Sequence, residues 1–111
     1  MTQPYKSEAE IEAVVRGFEE CTTNKEVFTH RQHLTVAVWY LWHSPEDALE
    51  KMRTGLLRFI SHHQVDPGKY KEDLTVAWMD LTKKTLAELP EGIPLIEVTN
   101  AVLDRLSKAS L

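Results

Sequence analysis

Cysteine is almost absent from this chain: Cys21 stands alone, so no internal disulfide can form and no Cys-x-x-Cys pair exists to hold a structural zinc. Basic charge is scarce as well. Thirteen lysines and arginines against seventeen acids give a formal charge of −4, spread without any basic run, which argues against a nucleic-acid or anionic-membrane partner. Long hydrophobic runs are also missing. The longest, Leu34 to Trp42, is about nine residues against the roughly 20 that a bilayer span requires, so it reads as a core helix. Met1 to Lys6 is polar and lacks the charged and apolar regions of a secretory signal, and the expected location is cytoplasmic. Repeats and low-complexity segments do not occur.

What is present suits one compact domain. A chain of 111 residues with 42% hydrophobic and 27% charged residues has the composition of an ordinary globular protein. Its strongest local signal is Thr29-His30-Arg31-Gln32, a capping-box pattern that starts a helix at His30 and leads into the apolar run. That helix is hydrophobic nearly all round, so the others should surround it. Phe28, just before the cap, is placed to pack on His33 as a hydrophobic staple.

Ser7-Glu8-Ala9-Glu10 is a second capping box, and Ile11, Val14, Val15 and Phe18 follow at helical spacing, predicting a first helix from about Ser7 to Cys21. Ser44-Pro45 predicts the start of a third helix running to about His63, with Leu49, Met52, Leu56, Phe59, Ile60 and His63 inward. The short link makes helices two and three an antiparallel hairpin. After the turn Asp66-Pro67-Gly68, a fourth helix should begin between Asp66 and Tyr70 and end at Leu89, with Tyr70, Leu74, Ala77, Trp78, Leu81 and Thr85 as its principal stripe and Glu72, Thr75 and Met79 as a neighbouring ridge. Pro94 can open a fifth that uses Leu95, Val98, Val102 and Leu106. The expected fold is an all-α bundle of four long helices with a candidate fifth and short connections.

A polar stripe runs down the central helix. At about 100° per residue, His33 lies roughly 60° from His30 and Tyr40 returns to within about 20° of His33, so His30, His33, Ala37 and Tyr40 share a face. Three chemistries fit. His-x-x-His on one face can chelate a divalent transition metal (Fe, Zn or Mn), with His63 or Glu72 as third ligand and an open position for hydrolytic, lyase-type or oxygen-dependent chemistry. Alternatively the rings are structural, hydrogen-bonded to backbone or to Tyr40. In the third, a metal-free pocket binds or protonates a small molecule, with His33 as acid or base and Tyr40 or Tyr70 as donor. The first-turn dipole disfavours imidazolium and keeps the rings neutral in each case.

His62-His63 also reads as a frayed helix end, Glu72 as a dipole complement, and Trp39, Trp42 and Trp78 as core or interface residues. Phe28-x-His30-x-x-His33-Leu34, followed by Gly68-Lys69-Tyr70-x-Glu72-x-x-Thr75, resembles a set of small bacterial all-helical proteins. The resemblance implies that His30, His33, Tyr70, Glu72 and Thr75 work together, and that this chain carries Lys71 where such proteins have histidine. It supplies no reaction. The expected site therefore comprises His33, Tyr70 and Glu72 as reacting groups, His30, His33 and His63 as metal ligands, and Tyr40, Thr75 and Trp78 as pocket wall. A non-catalytic interaction module or an obligate homodimer, with structural histidines, is the rival expectation.

Overall fold

Ser7 turns an extended segment into a helix because its hydroxyl accepts from the Glu10 amide at 3.3 Å while the Glu10 carboxylate accepts from the Ser7 amide at 3.0 Å. The resulting α1 spans Glu8–Glu19. It ends where Cys21 adopts a left-handed φ of 59° and the Thr22 amide turns back to the Gly17 carbonyl at 2.9 Å. A computed structural model describes residues 3–107. After α1 it comprises α2 (His30–His43), α3 (Ala48–His62), a single 3-10 turn at Pro67–Lys69, α4 (Glu72–Ala87) and α5 (Leu95–Leu106). The fold is all-α, and the candidate fifth helix is formed.

The start of α2 at His30 follows from the predicted cap: the Gln32 Oε1 accepts from the Thr29 amide at 3.2 Å. As the apolar run requires, α2 packs against all four other α-helices. Leu34, Thr35, Val36 and Val38 are all but sealed from solvent. The one polar member is satisfied locally. Thr35 donates to the Arg31 carbonyl at 2.9 Å, and its remaining lone pair accepts the Tyr5 hydroxyl at 2.9 Å, which ties the N-terminal segment to α2.

Two apolar clusters flank that helix. One joins α1, α2 and α3 through Phe18, Phe28, Val36, Met52 and Phe59; the other joins α2 to α5 through Ile11, Leu34, Val38, Val98 and Val102. The α1 to α3 contact depends on Gly55, where an added Cβ would meet the Phe18 ring at 2.5 Å. At about 1.5 to 3 kcal/mol per fully buried aliphatic or Phe side chain, these clusters supply the main driving force of folding.

Two helix starts and one helix face differ from the sequence expectation. Pro45 to Asp47 form a turn closed by the Asp47 amide on the Ser44 carbonyl at 3.0 Å, so α3 opens at Ala48, and the Ser44 hydroxyl receives Lys51 Nζ at 3.2 Å instead of capping. Likewise Pro67–Lys69 close their own turn, Tyr70 and Lys71 stay extended, and α4 opens at Glu72. The buried face of α4 is Thr75, Met79, Thr82 and Thr85, whereas Leu74 is 43% exposed and Trp78 and Leu81 are half-buried. Threonine can face inward here because each hydroxyl donates to the carbonyl four residues back: Thr75 to Lys71, Thr82 to Trp78 and Thr85 to Leu81. Among the described residues, no helix is long and apolar enough to cross a membrane.

Candidate functional site

A cavity of about 360 Å³ opens where α2, α3 and α4 fail to close on one another. Its inner surface is made by Ala37 of α2, Met52, Leu56 and Phe59 of α3, and Met79 and Thr82 of α4. Small Ala37 and the threonines leave this room. Phe28, His33, Tyr70, Leu74, Thr75 and Trp78 form its walls, and His30 stands at one edge. Its volume lies at the compact end of the range of about 300 to 1,000 Å³ in which small-molecule sites fall.

His33 is held by the staple that the sequence predicts. The Phe28 ring, itself stacked on Phe18 at 4.8 Å, lies 4.5 Å from the His33 ring. Burial pushes the His33 imidazole down to about 4, with the neighbouring His30 adding to the shift, so at neutral pH the ring is uncharged and presents one donor and one acceptor. No hydrogen bond to another described residue engages it.

His30 has a structural task. Its Nε2 donates to the Leu106 carbonyl at 3.2 Å, satisfying one of the last carbonyls of α5, and its ring meets Trp78 edge-on at 4.6 Å. Carbonyls only accept, so Nε2 carries the proton and Nδ1 is the free acceptor.

Opposite stands a second polar unit. Arg53 of α3 grips the Glu72 carboxylate with two bonds, Nε to Oε1 at 2.9 Å and a terminal nitrogen to Oε2 at 2.5 Å, and the Tyr70 hydroxyl donates to Oε1 at 2.6 Å. The guanidinium bonds, then the phenol bond, hold the Glu72 carboxyl at about 2, well below the usual carboxylate range. Burial, then the bond to Glu72, raises the Tyr70 phenol. Because its single proton goes to Glu72, Tyr70 offers the cavity an acceptor oxygen, where a donor was expected.

Of the expected site residues, His30, His33, Tyr70, Thr75 and Trp78 border this one cavity, and Glu72 supports it through Tyr70. Two others belong elsewhere. Tyr40 is buried, but its hydroxyl donates to Glu19 of α1 at 2.6 Å; burial and that bond raise its phenol above the ordinary range. His63 caps the end of α3, its ring 4.4 Å from Phe59 and outside the cavity wall. Among the described residues, no three His, Cys, Asp or Glu side chains are grouped so as to hold a metal ion. The set His30, His33 and His63 is thus not drawn together as ligands.

The sequence reading gave no role to Lys25 and Lys69, which with Lys71 also line the cavity. A signal was available: Lys25 precedes Phe28 by three residues, and Lys69 and Lys71 bracket Tyr70. No protein family, curated protein or solved structure compared with this chain matches it.

Proposed function

We propose that this chain binds a small organic molecule in the cavity between α2, α3 and α4, and that the neutral His33 ring is a group that hydrogen-bonds to it. One observation carries the reading: a neutral imidazole with no hydrogen-bond partner among the described residues stands on the wall of a preformed cavity of about 360 Å³ whose floor is apolar. Tyr70, aligned by Glu72 and Arg53, is the second polar group of the wall and presents an acceptor oxygen. Two of the groups first expected as metal ligands are already engaged, His30 by Leu106 and Glu72 by Arg53 and Tyr70, which favours a site without a resident metal. The dimer reading has less support. Most of the apolar helix that a second copy would have covered is covered within one chain, Trp42 near its end being 44% exposed.

The test is a fragment screen by protein NMR with neutral, cationic and anionic compounds. Binders are expected to perturb His33, Tyr70 and Trp78 together while leaving α5 residues such as Val98 and Val102 undisturbed. His33→Ala should weaken the best binder about tenfold, the loss of one hydrogen bond to a buried partner. Perturbations scattered over the surface, or an affinity indifferent to His33→Ala, would overturn the reading.

A further inference from the structure

The cavity is electrically one-sided. Although acids outnumber bases in the chain by seventeen to thirteen, the residues lining it include Lys25, Lys69 and Lys71 and not one aspartate or glutamate. Placement explains this: Lys25 comes from the α1 to α2 connection, and Lys69 and Lys71 from the segment between α3 and α4. All three are exposed, and none is ion-paired among the described residues, where the pairs that exist involve Arg16, Arg53, Lys84 and Arg105. Two carboxylates lie next to lining residues: Glu72 is neutralised by Arg53 and turned toward the Tyr70 hydroxyl, and Asp66 accepts from the Gly68 amide. Deeper in, Met52, Leu56, Phe59 and Met79 offer only apolar surface.

Cationic rim and apolar interior together specify an occupant. We infer that the ligand is a compact amphipathic carboxylate, its charged head among Lys25, Lys69 and Lys71 and its apolar body on the floor beside Phe59 and Met79. This rests on the cavity being a small-molecule site and adds the class of molecule that fills it. A cationic ligand would meet three like charges, and a neutral one would leave the lysines unused. The limited volume favours a short acid over a full-length lipid chain.

Binding of octanoate, octan-1-ol and octylammonium to the full chain separates the two ideas, because the alcohol reads the cavity alone and the charged pair reads the rim. Calorimetry and NMR are expected to place octanoate about tenfold tighter than the alcohol, the scale of a few solvent-exposed charge pairs, and octylammonium weakest. The preference should shrink as salt rises, since the lysines are exposed. The triple variant K25Q/K69Q/K71Q should bring octanoate to the level of octan-1-ol; circular dichroism and thermal unfolding would show that it still folds. An alcohol that binds at the cavity as tightly as the carboxylate, or a triple variant that keeps the carboxylate preference, would overturn the rim assignment and leave the cavity reading standing. Failure of all three probes to perturb His33, Tyr70 and Trp78 would count against both.

Discussion

On the α5 side of α2, Leu34 and Val38 meet Ile11, Val98 and Val102, and none of these five is more than 3% exposed. On the α4 side, Ala37, Thr75, Met79 and Thr82 border a cavity of about 360 Å³. Around Val38 the helix thus packs closely toward α5, whereas Ala37 on its α4 side borders the cavity. The difference lies in side-chain volume and in where hydroxyl protons go. Branched aliphatics interdigitate on the first side, whereas on the second a short Ala faces threonines that bond to their own helix and extend no further. Lost packing contacts make such a gap costly to stability, which is the usual mark of a surface kept for binding.

The largest effects should fall on the filled side. Ile11→Ala, within the α1 to α5 cluster, is expected to cost about 2 to 4 kcal/mol by urea denaturation, whereas Leu74→Ala at the open side, where the side chain is 43% exposed, should cost under about 1 kcal/mol. Equal losses would erase the contrast.

Acid should act through the hollow side by a comparable amount. His33 is held near 4 in the folded state against an ordinary value of 6.5, so the unfolded chain binds its proton first as pH falls. Above 6.5 both states are neutral and nothing is lost; between 6.5 and 4 stability drains by roughly 3 kcal/mol; below 4 the loss is complete. Wild type and His33→Gln, compared by denaturation at pH 7 and pH 4, should differ in that slope, and parallel curves would place the ring in water.

Adding volume sharpens the comparison in the opposite sense. Gly55→Ala places a methyl against the Phe18 ring and should cost about 1 to 3 kcal/mol, because neither α1 nor α3 has room to yield. Ala37→Leu, directed at the cavity, should change stability by less than about 1 kcal/mol and abolish ligand binding. The smallest effect concerns Glu72: in Arg53→Gln its carboxyl should titrate nearer the ordinary range, observable by carbon NMR, with the fold intact.

Much of the filled side was legible in the sequence. The Ser7 cap, the Gln32 half of the Thr29 box, the apolar run and the Leu95, Val98, Val102, Leu106 spacing all act within a turn or two of chain and appear as expected, while the Thr29 hydroxyl donates to Gln32. The staple of Phe28 on His33 was legible for the same reason. The face of α4 was not, because hydropathy ranks Leu74 above Thr75 and cannot register a hydroxyl satisfied by the carbonyl four residues earlier. Nor could helical periodicity place Tyr40, whose direction is decided by Glu19 on another helix. Lys25 and Lys69 escaped notice because they come from connections, and only the folded chain brings those connections to one opening with Lys71.

The enclosure of α2 by its four neighbours reaches into the time domain. Amide protons from Val36 to Tyr40 can meet solvent only if the surrounding helices separate, so their hydrogen exchange should report the free energy of global unfolding. Tyr70 and Lys71, in the extended segment that lines the cavity, can exchange through local opening, so the proposed guest would enter and leave there while the central rod stays closed.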